Sequence, residues 1–95
     1  MSKREEYINK MAAQLKEWSA RMDVLKAKAE KAEADAKINY DSELESLRKR
    51  KEAAEKRLSE LKNASESAWE DLKDGCEKSW QEFKSALDTA VSKLK

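Results

Sequence analysis

The side chains able to carry out chemistry are few in this 95-residue sequence, and their spacing decides what they can do. Histidine is absent, which removes the commonest general base and metal ligand. A single cysteine, Cys76, cannot build a zinc site of the usual kinds, and a single glycine, Gly75, rules out a glycine-rich phosphate loop. The 20 carboxylates are interleaved with 21 lysines and arginines, a pattern in which pairing and solvation keep acid groups ordinary. No catalytic residue, metal ligand or cofactor-binding residue follows, no cofactor is expected, and the chain does not read as an enzyme. Arg48-Lys49-Arg50-Lys51 resembles a nucleic-acid cluster in composition only. On a helix these four point about 100° apart, so they ring the cylinder among Glu43, Glu45, Glu52 and Glu55 and form no basic stripe. Trp18, Trp69 and Trp80 fall on apolar seams and read as core or interface anchors, with Cys76 beside them as a small buried hydrophobe.

Those residues have to be positioned by long helices. From Trp69 the sequence repeats every eleven residues: Trp69 falls on Trp80 and Val91, Leu72 on Phe83 and Leu94, and Cys76 on Leu87. Ala64, Gly75 and Ala86 form one column of small residues, and Ala68, Ser79 and Ala90 form another. Eleven residues in three turns is about 3.67 per turn, close to the relaxed α-helix, so one apolar stripe can run along a nearly straight segment. Upstream, Ile8, Met11, Leu15, Trp18, Met22, Leu25, Ala29, Ala32 and Ala36 are spaced 3-4-3-4, as in a coiled-coil seam that thins to alanine.

After Ala36 the spacing becomes four and four through Tyr40 to Leu44, then resumes as Leu47, Lys51, Ala54, Leu58 and Leu61. This reads as a stutter near 36–44 within one continuous helix over 3–62, with a turn at 39–42 as the alternative because Ser42 and Glu45 have capping-box spacing. Lys51 is a charged defect in that seam, tolerable if its stem lies on apolar surface. Residues 63–67 carry stronger stop signals, with Asn63–Glu66 and Ser67–Glu70 both at capping-box spacing. A reversal there pairs positions whose numbers sum to about 129–134, so Leu58 faces Leu72, Ala54 faces Cys76 and Leu47 faces Trp80 or Phe83.

Composition agrees: 43% charged residues, no proline and abundant Ala, Leu, Glu, Lys and Arg describe long helices and leave little material for a globular core. The net charge of +1 spreads as +2 over 1–38, +1 over 39–63 and −2 over 64–95, too little to prescribe a nucleic acid or an anionic membrane. The opening MSKREEYINKM lacks the apolar stretch of a secretory signal, and nothing approaches the ~18 apolar residues of a membrane span. With one cysteine excluding an internal disulfide, the expected location is the cytoplasm.

The eleven-residue columns resemble the tandem amphipathic repeats of apolipoproteins, and the charge and scarcity of Gly and Pro resemble late-embryogenesis desiccation helices. Over the whole chain, KREEYINKMAAQLKEW, AKINYDSELESLRKRKEAAEKRLSELK and ASESAWEDLKDGCEKSWQEFKSAL resemble a family of small stand-alone bacterial coiled-coil proteins. That resemblance implies a long-helix fold and a free-standing bacterial protein, and it brings no catalytic or binding residue to these positions.

The expectation is therefore an all-α fold of one domain: an elongated coiled coil or antiparallel helical hairpin, made oligomeric by its unpaired seam, with a three-helix bundle as the alternative. The candidate interface comprises Ile8, Met11, Leu15, Trp18, Met22, Leu25, Leu58, Leu61, Trp69, Leu72, Cys76, Trp80, Phe83, Leu87, Val91 and Leu94. The expected function is a structural or protein-interaction module, stress-protective or scaffolding, whose partner is a second copy or another helical protein and no small-molecule substrate. A lipid surface meeting the amphipathic segment 64–95 is the alternative.

Overall fold

The heptad stripe that begins at Ile8 lies on a helix, α1 (Lys3–Lys31), with Met11, Trp18, Leu25 and Ala29 on its buried face. A second helix of equal length, α2 (Ala34–Lys62), buries Leu47, Ala54, Leu58 and Leu61. The eleven-residue columns form α3 (Trp69–Lys93), which buries Cys76, Trp80, Phe83, Leu87 and Ala90. These helices come from a computed structural model that describes residues 3–93. They run up, down and up, so α1 and α3 are parallel to each other and antiparallel to the central α2.

The fold is all-α, and of the two architectures expected it is the three-helix bundle. The continuous arm over 3–62 is interrupted, and the interruption falls at Ala32 and Glu33, not at 39–42. Folding at 32–33 gives two helices of 29 residues that match along their whole length, whereas a turn at 39–42 would leave them unequal. The seam there consists of Ala29, Ala32 and Ala36, so bending at this point sacrifices little apolar burial. Asn39 to Ser42 continue as helix, because Tyr40 and Leu44 pack against the core and hold the segment in register. The molecule measures 51 × 21 × 18 Å, in place of the ~90 Å arm that sixty helical residues would make.

The second join follows the sequence closely. Turn residues occupy 63–68, within one residue of the expected reversal. The caps differ in detail: the Ser65 hydroxyl accepts from the Ala68 amide at 3.3 Å, and Asn63 closes α2 by donating its side-chain amide to the Ser59 carbonyl at 3.1 Å. The antiparallel register of α2 and α3 is fixed on their outer edges by Arg50 with Glu82 at 3.9 Å and Lys93 with Glu43 at 3.4 Å. These exposed pairs set direction more than they stabilise.

One core runs through the molecule, formed by Met11, Trp18, Leu25, Leu47, Ala54, Leu58, Leu61, Cys76, Trp80, Phe83, Leu87 and Ala90, with Ile8, Leu15, Met22, Trp69 and Leu72 half-buried against it. The stripe from Ile8 to Leu25, which by sequence needed a second chain, is covered by α2 and α3 of its own chain. That removes the argument by which oligomerisation was expected. Lys51 is half-buried and opens into a groove between α1 and α2 beside Met22, Leu44 and Arg48, so its ammonium reaches the surface.

Candidate functional site

The α2 helix packs closely on both neighbours, while α1 and α3 meet mainly through aromatic side chains. Trp18 sits edge-on to Phe83 at 5.5 Å between ring centres and tilted against Trp80 at 6.2 Å. Nearer the other end, Tyr7 meets Trp69 edge-on at 5.9 Å. Large flat rings reach across a gap that aliphatic side chains would leave open, and they hold the two parallel helices apart.

What results is a groove of about 690 Å³ between α1 and α3, with Tyr7, Met11, Trp18 and Trp80 among its lining. Its walls alternate in sign: Lys10 and Arg21 on α1 and Lys78 and Lys84 on α3 stand among Glu17, Asp74 and Glu77. Glu17 and Arg21 pair with each other at 2.9 Å. The same valley continues along the bundle as a second recess of about 360 Å³ lined by Arg21, Val24, Leu25, Lys28, Asp88, Val91 and Ser92. There Val24 and Val91 remain 56% and 38% exposed, two of the three large hydrophobic side chains on the described surface; the third is Ile38, at 69%.

The electrostatics of the groove are set by burial. The Tyr7 phenol donates to Glu77 Oε1 at 3.3 Å, and Lys73 lies 5.1 Å from the centre of its ring. Burial, then the nearby Cys76, Glu77 and Asp74, raise the phenol far above its ordinary titration range. The Cys76 thiol is fully buried, and burial pushes it up to about 11, so it is a neutral core atom at physiological pH. The Trp80 indole has another peculiarity: the residue is 3% exposed, and its Nε1–H has no hydrogen-bond partner.

Beside the mouth of the groove, Arg4 reaches the end of α2. Its guanidinium donates to the carbonyls of Leu61 (3.2 Å), Lys62 (3.4 Å) and Ala64, and its central carbon, Cζ, lies 4.7 Å from the centre of a Trp69 ring. A cation is favoured at a helix C-terminus, where the last carbonyls lack partners. The clamp ties the start of α1 to the α2–α3 turn. Arg4 and Tyr7 were not singled out by sequence, because both fall just ahead of the periodic stripe; an arginine one turn before an aromatic is the signal that could have found them.

Of the sixteen candidate interface residues, Met11, Trp18, Leu25, Leu58, Leu61, Cys76, Trp80, Phe83 and Leu87 lie in the core of the single chain, and Ile8, Leu15, Met22, Trp69 and Leu72 are half-buried against it. Val91 is at the surface, in the valley, and Leu94 lies outside the described residues. Arg48 is engaged by Glu45 at 2.7 Å and Glu52 at 3.0 Å at the exposed rim of the α1–α2 groove. Among the described residues, no group of three or more acidic or thiol side chains is close enough to hold a metal ion, and no helix is long and apolar enough to cross a membrane. No family model, curated protein or solved structure matches the chain.

Proposed function

We propose that this protein is a non-enzymatic interaction module that receives an amphipathic helix of a partner protein in the valley between α1 and α3. The observation that carries this reading is the valley itself: an aromatic floor, walls of alternating sign, and Val24 and Val91 exposed at one end. A neutral balance of alternating charges suits a helix of similarly mixed composition, since it offers no single field to a polyanion. Helix-in-groove recognition needs a short row of apolar anchors and polar edges, which this surface supplies. A scaffolding or stress-protective role, a bacterial cytoplasmic setting and kinship with stand-alone coiled-coil proteins belong to the same proposal.

The test places a photo-crosslinking amino acid at Gln14 or Gln81, both in the groove, and at Lys56 on the exposed face of α2, in extract of the source cells. The expected result is a defined protein adduct at 14 and 81, absent at 56 and lost in Val24→Glu/Val91→Glu. Equal labelling at all three positions would refute the valley as the docking surface.

A second reading is supported by one observation: α3 is the most strongly amphipathic of the three helices. Its apolar face is covered by α1 and α2, so a lipid surface could use it only by displacing them. Tryptophan emission with neutral and with anionic vesicles distinguishes the two, since lipid insertion requires a blue shift and a protein partner requires none.

A further inference from the structure

The link between α1 and α2 is the least specified join in the chain. Only Ala32 and Glu33 separate the two helices. No described non-glycine residue has positive φ, and Glu33 sits at φ −69°, ψ 161° without a side-chain capping hydrogen bond. The sequence contains no proline, and the stretch Ala27-Lys28-Ala29-Glu30-Lys31-Ala32-Glu33-Ala34 is built from strong helix formers. Nothing in these residues requires a bend. Changing the backbone angles at Ala32 and Glu33 joins α1 and α2 into one helix and gives their free end groups intrahelical partners.

The pairing of α1 with α2 is also symmetric about this join. Arg4 meets Leu61, while Met22 and Leu44 line one groove, so facing positions sum to about 65, twice the midpoint between Ala32 and Glu33. Two copies with straightened helices, laid antiparallel, would recreate between chains each α1–α2 contact of the single chain. At their crossing lie Ala29, Ala32 and Ala36, small enough for helices to approach closely. The seam spacing of α1 continues through the join to Ala36 without a fault, as a continuous helix requires.

We infer that this chain exchanges α1 with a second copy, forming a domain-swapped dimer in which residues 3–62 of each copy run as one helix and α1 packs on the α2–α3 hairpin of the other. Short, unspecified hinges between elements that already fit each other are where swapping arises. The exchanged dimer keeps the α1–α3 valley, now built from two chains, so this inference does not depend on what occupies the valley.

The decisive variant is Ala34→Pro. Position 34 is the first residue of α2, where proline is well accommodated, and the preceding Glu33 already has the extended conformation that proline favours. In a continuous helix the same proline removes a hydrogen bond and clashes with the turn before it. A Gly-Ser-Gly insertion between Ala32 and Glu33 is the second variant, relaxing the hinge without touching either helix. Each protein is refolded from urea over a range of concentrations and its mass measured by light scattering after size exclusion. Spin labels on Lys26→Cys and Asp41→Cys, which face each other across the α1–α2 groove, report the hinge in labelled chains diluted with unlabelled ones; the fully buried Cys76 is not labelled in the folded protein.

The expected result is a wild-type dimer whose fraction rises with refolding concentration and whose labels, fifteen residues apart on one helix, move to roughly 22 Å along its axis. Ala34→Pro should weaken dimerisation by about tenfold or more, the effect of a proline inside a helix, and the insertion should shift the balance toward monomer by lengthening the hinge. A wild type that stays monomeric after every refolding, variants that dimerise as readily as wild type, or a dimer whose labels remain adjacent within one chain would each overturn the exchange. The last of these would identify an outer-surface dimer and leave the valley reading standing.

Discussion

Trp80 is nearly enclosed, yet its indole N–H is unpartnered, and the two facts make opposite demands on a substitution. Replacing Trp80 with Ala should cost about 3–5 kcal/mol, because it removes a large ring from the centre of the core together with its contact to Trp18. Replacing it with Phe keeps an aromatic ring on α3, removes the N–H, and shortens the side chain by the far edge of the indole. The lost burial, ~40 Å² of apolar surface, costs about 1 kcal/mol, and the small void left behind costs about as much again. Against this, removing a buried donor without a partner returns about 1–3 kcal/mol. The Phe variant should therefore lie within about 1 kcal/mol of wild type, although a buried tryptophan is usually intolerant of truncation. Urea titration followed by far-ultraviolet circular dichroism measures both variants on the same scale. If Trp80→Phe lost as much as Trp80→Ala, the indole N–H would have to be stabilised in the fold, and the reasoning from its isolation would fail.

Other outcomes follow from particular residues. Trp18→Ala should destabilise the single chain by about 3–5 kcal/mol, since Trp18 supplies the ring contacts to both Trp80 and Phe83. Arg4→Gln should lower stability by about 2 kcal/mol by weakening the clamp on the three carbonyls and the Trp69 ring, and amide hydrogen exchange should rise selectively at residues 61–64. Gly75→Ala should raise stability by about 0.5–1 kcal/mol, because an added Cβ meets nothing within 4 Å and helix propensity improves; thermal melting reads it as an upward shift of a few degrees. With the Cys76 thiol held up at about 11, the folded state keeps its proton after the unfolded chain has lost it. Stability should thus be intact below the ordinary thiol value and fall by about 2 kcal/mol between roughly pH 9 and 11, a slope that urea titrations should find reduced in Cys76→Ala.

Much of this architecture is legible in the sequence, and what was not has identifiable physical causes. The columns from Trp69 to Val91 place the buried face of α3 because eleven-residue periodicity matches the helix itself, and the signals at 63–67 mark a turn because several short polar residues there compete for backbone groups. Ala32-Glu33 is invisible to the same reading: every residue near it favours a helix, and the bend is imposed by what folding back allows Met11, Trp18 and Leu25 to touch. Periodicity also identifies an apolar face without naming its partner, so the stripe from Ile8 to Leu25 reads equally as an interface or a core. The valley was illegible for a related reason, since it arises from two parallel helices propped apart by rings that are sixty or more residues distant in sequence.

The Arg4 clamp has a consequence for the order of events during synthesis. Helix α1 is made before the residues that complete its contacts: Arg4 waits for Ala64, Tyr7 for Trp69, and Trp18 for Phe83. At ~5–20 residues per second the ribosome takes several seconds to supply them. Until then Met11, Trp18 and Leu25 lack the α2–α3 hairpin that covers them in the fold, and nascent chains that follow one another on one message carry the same uncovered stripe.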